Sequence, residues 1–342
     1  VSARSSIEWT DDTWNPIRAE LTTGEFGDGQ RKLLGWHCEH VSEGCRHCYA
    51  ESFNRRLGTK LDYKPGHRQS LRVFVDETML LAPLKWRKPR KIFVCSMTDL
   101  FADFVSDNML DQVFAIMALS PQHVFQVLTK RPERLRAYVQ AQAEGSRHVG
   151  DHVDIWQTKG LIPEGVDTFG GWIGSPDRPR PLPNVWLGVS VEDQAAADER
   201  IPLLLETPAA MRWLSCEPLL GPVDLGYLTV ATPTGPEQWD CLDRDEGARA
   251  ADEGGCGAII DWVVAGGESG PRARPMHPAW ARSMRDQCAA ASVPFLFKQW
   301  GAWGPVDRDA GHIIADEQPM APIGKKRAGR LLDGVQHDGY PA

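Results

Sequence analysis

A chain of 342 residues with 42% hydrophobic and 25% charged residues can bury one large α/β core or two smaller ones. It has no apolar run long enough for a membrane-spanning helix and no apolar leader-like segment at its start, so a cytoplasmic protein is expected. The net charge of −8 argues against a protein that coats nucleic acid over its whole surface, yet residues from Arg31 to Lys91 carry 14 Lys/Arg against 6 Asp/Glu.

In chain order, the first informative segment is Cys38-Glu-His-Val-Ser-Glu-Gly-Cys45-Arg-His-Cys48. Next comes the basic stretch Lys85-Trp86-Arg87-Lys88-Pro89-Arg90-Lys91, where a tryptophan among cations can stack a base while phosphates are neutralised. From Lys91 onward short apolar runs alternate with helix-like stretches. The runs are Ile92–Cys95, Val124–Leu128, Val185–Val189, Met211–Leu214, Trp262–Ala265 and Pro294–Phe297. Each is nearly continuous, as parallel strands covered on both faces require. Asp107–Ser120 and Ala279–Ala291 have apolar residues at helical spacing.

This alternation predicts an α/β fold, a partial or full parallel β/α (TIM-like) barrel with inserted loops. Residues 1–304 are expected to form one barrel domain, with insertions near 140–183 and 231–257, and 305–342 a C-terminal tail. After the strands come Ser96-Met97-Thr98-Asp99, Thr129-Lys130-Arg131-Pro132, Ser190-Val191-Glu192, Ser215-Cys216-Glu217-Pro218, Gly266-Gly267-Glu268-Ser269-Gly270 and Lys298-Gln299-Trp300-Gly301. Charged and hydroxyl groups at strand C-termini point to a shared site at the barrel mouth.

Eight cysteines are too sparse for a disulfide scaffold, and three of them crowd between Cys38 and Cys48. Cys45 and Cys48 have the spacing that lets two thiolates chelate one centre, and Gly44 permits Cys38 to return to it. Three thiolates suit a four-iron cluster with one iron left open. A fourth ligand from His37, His40 or His47 would instead make a zinc site. Cys95, Cys216 and Cys288 read as buried small hydrophobes. Cys241 and Cys256 offer only two ligands for a small zinc loop.

The cysteine cluster followed by Tyr49-Ala50-Glu51 resembles a family of phage and bacterial proteins named for a three-cysteine motif. The resemblance extends through Ile7-Glu8-Trp9-Thr10, Thr13-Trp14-Asn15-Pro16, Phe125–Pro132, Ser215–Pro222 and Gly266–Gly270. That family is radical-S-adenosylmethionine-like with a partial barrel. The radical superfamily places three and two residues between its cysteines, whereas here the gaps are six and two.

The resemblance implies a [4Fe-4S] cluster on Cys38, Cys45 and Cys48, with S-adenosylmethionine cleaved by an electron from an external donor. Cofactor contacts would come from Ser96, Thr98, Asp99, Arg131, Ser190, Glu192, Glu217, Gly266, Gly267, Glu268 and Ser269. Lys298, Lys130 and Tyr49 would be candidate catalytic residues. The substrate expected is DNA or RNA held by residues 85–91, in base repair or modification. Two other classes fit the residues: a divalent-metal barrel hydrolase or nuclease with a structural cysteine site, and a non-enzymatic zinc-containing nucleic-acid-binding protein.

Overall fold

The computed structural model describes residues 5–22, 33–146, 149–164, 166, 181–232, 234–243, 259–306 and 319–341. The chain divides into two compact units: residues 1–41, 48–187 and 207–210, and residues 42–47, 188–206 and 211–342. No described helix is long and apolar enough to cross a membrane.

The first unit opens with β1 (Asp12–Trp14), followed by β2 (Ile17–Leu21), β3 (Leu34–Gly35), α1 (Tyr49–Leu57), β4 (Leu71–Val75) and α2 (Glu77–Leu80). Then come β5 (Lys91–Val94), α3 (Asp107–Ala118), β6 (Val124–Thr129), α4 (Pro132–Ala143), α5 (Gly150–Thr158) and the start of β7 (Val185–Ser190). Strand order is β1-β5-β6-β7, with β1 and β6 both parallel to β5, while β3-β2-β4 forms a separate antiparallel sheet. Buried Ile92, Val94, Phe125 and Val127 explain why β5 and β6 read as apolar runs. Helix α3 starts at Ser106, whose Oγ accepts from the Met109 N–H at 3.3 Å, and α4 starts with Pro132 in its first turn.

The second unit takes up β7 at Gly188 and continues with α6 (Gln194–Leu205), β8 (Met211–Cys216), β9 (Leu228–Thr232) and β10 (Gly235–Trp239). Then come β11 (Trp262–Gly266), α7 (Pro278–Ala290) and β12 (Phe295–Gln299), followed by short elements up to Gln336. Its strand order is β7-β8-β11-β12, parallel between β8, β11 and β12, and β9 with β10 forms a hairpin. The fold class is therefore the one expected: α/β, a partial parallel β/α barrel.

Three features escape the apolar pattern. Strand β1 has only three residues, and its parallel register with Ile92–Val94 makes it a strand. Helix α5 lies within the segment expected as an insertion; it buries only Val153 and Trp156, too few to show helical periodicity. The segment 319–341 is not loose: Trp262 Nε1 donates to the Gly339 carbonyl at 2.8 Å and the Phe297 N–H to His337 O at 2.9 Å, while Leu332 is fully buried. Cys256, most of 165–180 and residues 244–258 and 307–318 lie outside the described residues.

One local device sets the path of the cysteine segment. Asn54, fully buried on α1, accepts from the Trp36 and Thr59 N–H groups at 3.0 and 3.2 Å and donates to Thr59 Oγ1 and Leu61 O at 2.8 and 3.1 Å. Added Cβ atoms at Gly35 and Gly58 would lie 2.4 and 2.1 Å from Asn54 Oδ1, so both glycines are required by close approach. Asn54→Ala orphans two N–H groups and is expected to cost about 1–3 kcal/mol, measured by urea unfolding.

Candidate metal centre and strand-end groups

In the first unit, Cys38 and Cys48 pack with Trp36 against the buried residues Ala50, Tyr63 and Met97. The floor is held by Tyr63, whose hydroxyl donates to Met97 O at 2.7 Å and whose N–H donates to Glu51 Oε1 at 2.9 Å. Cys48 caps the N-terminus of α1, and a single turn at Glu43–Cys45 precedes it. Burial pushes the Cys38 thiol up to about 12, helped by the Asp99 carboxylate; Arg131 and a backbone hydrogen bond from Asp99 pull the other way. A thiol in that state is a poor nucleophile.

The residues after β5 and β6 form a connected set. Strand β5 is followed by Cys95, whose φ of 55° turns the chain into Ser96–Asp99. Asn15 Oδ1 accepts from the Met97 N–H at 3.0 Å, and its Nδ2 donates to Ser96 Oγ at 3.1 Å, a structural role for the Trp14-Asn15-Pro16 motif. The Thr98 hydroxyl donates to His37 O, and the Tyr49 hydroxyl to Ser96 O at 2.7 Å. Asp99 accepts from the Phe101 N–H, Thr129 Oγ1, the Lys130 N–H and Arg131 Nη1 at 2.7–3.0 Å. Four acceptor sites are thus engaged by the chain itself. Arg131 also donates to Glu39 O at 3.1 Å. Burial lowers its pKa, but Asp99 and the Cys38 thiol outweigh that, and the guanidinium stays charged.

In the second unit, the acids after β7 and β11 hold the segment 42–47. Glu192, 2% exposed, accepts from Ser42 Oγ and from Arg200 Nη1 at 2.7 Å each. Arg200 also donates to Ser190 O at 2.8 Å. A Cβ at Gly44 would lie 2.2 Å from Glu192 Oε1, so this position admits only glycine while Glu192 stays in place. Glu268 lies 3.1 Å from His47 Nδ1 and accepts from Arg274 through its N–H, Nε and Nη2 at 2.7–3.1 Å. Arg274 Nη2 in turn reaches Glu43 O at 2.9 Å. Cys45 is half-buried here, its Sγ 3.9 Å from Ser42 Oγ.

Burial pushes the Glu268 carboxyl up, but hydrogen bonds from Arg274 and His47 outweigh it and leave it below the ordinary carboxylate range. A folded-state pKa below the unfolded one gives stability that is full above the unfolded value and is lost as pH falls through the folded value. Acid titration of Glu268→Gln should therefore show a shallower loss of stability below about pH 4.5 than wild type.

The remaining strand-end groups pair among themselves. Lys298 Nζ lies 3.1 Å from Glu217 Oε1, and Gln299 Nε2 donates to Ser269 Oγ at 3.0 Å. The glycines after β11 make room for protein atoms: a Cβ on Gly266 would meet Glu217 Oε1 at 2.7 Å, and one on Gly267 the Trp300 carbonyl at 2.0 Å. Lys130 is half-buried, with its N–H on Asp99. In the basic stretch, Arg90 lies 4.7 Å over Trp86 and pairs with Asp12 at 2.6 Å, and Trp86 packs on buried His123 at 5.9 Å. That leaves Lys85, Arg87 and Lys88 as its exposed cations.

The donor set suits an iron–sulfur cluster in its chemistry: three half-buried thiols, two of them on one packing floor. Among the described residues, however, no group of three or more His, Cys, Asp or Glu side chains is gathered closely enough to hold a metal ion. His40 Nε2 lies 3.6 Å from Glu51 and His47 is engaged by Glu268. His37, 2% exposed and made less basic chiefly by burial, leaves Nδ1 without a hydrogen-bond partner. Cys95, Cys216, Cys241 and Cys288 are buried thiols, all pushed up by burial, as small core residues should be. Ser42, Arg200 and Arg274 have no motif of their own, and Gly44, just before Cys45, is the visible signal in this segment.

A family model described as "Protein of unknown function (DUF5131)" matches residues 33–341. Comparison with curated proteins gives no match, and comparison with solved structures gives none.

Proposed function

The chain belongs to that family of unknown function, and we propose from its residues that it is an iron–sulfur protein of the radical S-adenosylmethionine kind, with Cys38, Cys45 and Cys48 as thiolate ligands. The observation that carries this reading is the Cys38–Cys48 floor. Two half-buried thiols, Cys38 and Cys48, pack on one buried patch, and the pKa of Cys38 is raised chiefly by burial, with the charged Arg131 opposing the rise. A metal centre removes the cost of that burial, whereas a redox or nucleophilic thiol needs a lowered pKa. Such a cluster would supply one electron from an external donor for reductive cleavage of S-adenosylmethionine.

Within this reading the chain's own groups divide into two jobs. Asp99 holds Arg131 beside Cys38, while Glu192 and Glu268 fix the segment that carries Cys45; these acids position the ligands. The Glu217–Lys298 pair at 3.1 Å is the group that an amino-acid zwitterion can replace, its ammonium on Glu217 and its carboxylate on Lys298. Equilibrium dialysis with S-adenosylmethionine tests that assignment. Glu217→Gln should weaken binding about tenfold, on the scale of one charged hydrogen bond; unchanged binding would remove Glu217 from the site. Tyr49, tied to Ser96 O, and Lys130 remain candidates for proton or hydrogen-atom transfer to substrate, with a nucleic-acid base as the substrate class.

One observation favours a second reading. The orphaned Nδ1 of buried His37, adjacent in sequence to Cys38, can complete a Cys3His zinc site. Metal analysis separates the two readings.

A further inference from the structure

We propose that the outward face of α1, together with Trp36, is a stacking surface for single-stranded nucleic acid. Tyr49, Phe53 and Leu57 lie at successive helical turns and are 57%, 36% and 62% exposed, an unusual apolar line for a solvent-facing helix. Phe53 stands 5.9 Å from Trp36. The Arg56 guanidinium lies 5.8 Å over Phe53, and that of Arg18 4.5 Å over Trp36. The Tyr49 ring is fixed in place by its hydroxyl bond to Ser96 O. The result is a row of aromatic faces flanked by guanidinium groups, all built within the first unit.

Charge selects the occupant. The one acid on α1, Glu51, is buried and engaged by the Tyr63 N–H and Arg55, and Arg55 also pairs with Asp62 at 2.5 Å, so Arg56 is the exposed cation that α1 offers to a phosphate. The surrounding stretch from Arg31 to Lys91 is the basic part of an otherwise acidic chain. A second copy of this face would bring arginines against arginines, whereas a single strand offers phosphates to the guanidinium groups and bases to the rings. The inference gives the proposed enzyme a substrate class, but binding on this face needs no metal.

The test is fluorescence anisotropy of the full chain with a labelled oligothymidylate of about 16 nucleotides, the upper end of a single-strand site. Binding should be measurable at low salt and weaken steeply as salt rises. Phe53→Ala should weaken it about tenfold, Phe53→Trp should retain it, and Arg56→Ala should lower the salt slope by about one. Circular dichroism confirms that each variant is folded. Cys45→Ala should bind the oligonucleotide as wild type does, so failure of the metal reading and failure of this one are distinguishable. Absence of salt-dependent binding, or equal binding by Phe53→Ala, overturns the proposal. So does a self-association that Phe53→Ala abolishes without oligonucleotide binding, which would assign the face to a second copy.

Discussion

Anaerobically purified protein is expected to be brown and to carry about four irons and four sulfides per chain, both lost in Cys45→Ala. Cys45 is the right thiol to remove because it is half-buried and its sulfur stands 3.9 Å from Ser42 Oγ, so alanine there disturbs little packing. Among the described residues the other thiols cannot substitute, since Cys95, Cys216, Cys241 and Cys288 are all buried. One zinc per chain with no visible absorption would transfer the site to the reading in which His37 is the fourth ligand, and His37→Gln should then release the zinc. A colourless protein free of both metals would end both readings.

Arg200→Met is expected to destabilise the fold by about 3–5 kcal/mol, because it leaves the Glu192 carboxylate buried without its partner. The side chains of this pair are 4% and 2% exposed and meet at 2.7 Å, so solvent does little to screen the loss. The double variant Glu192→Leu/Arg200→Met removes both charges and should recover much of the stability, measured by urea unfolding in a double-mutant cycle. It should not recover metal content, because Ser42 loses its acceptor and the segment carrying Cys45 loses an anchor. A double variant that is both stable and fully metal-loaded would show that Glu192 does not position that segment.

The strands and long helices were legible because their signals are local. Val185–Ser190 and Trp262–Gly266 are buried along their whole length, and such strands read as unbroken apolar runs. Strand β1 was not legible, since three residues carry no period and its pairing partner is β5, eighty positions away. The docked segment 319–341 was missed for a related reason: it is held by backbone carbonyls meeting Trp262 and Trp300 ring N–H groups, which leave no pattern in sequence. The strand-end acids stand out by position, while the donors that meet them in the fold leave no local pattern.

By itself, the sequence determined the α/β class and a cysteine segment whose spacing suits a metal, because periodicity and short spacings are properties of neighbouring residues. Tertiary structure alone decided what the acids at the strand ends do. Asp99 turns inward to Thr129, Lys130 and Arg131; Glu192 meets a serine 150 positions away and Glu268 a histidine 221 positions away. Which oxygens remain for a ligand depends on which donors the folded chain brings within 3 Å, and those donors come from segments that no local pattern connects.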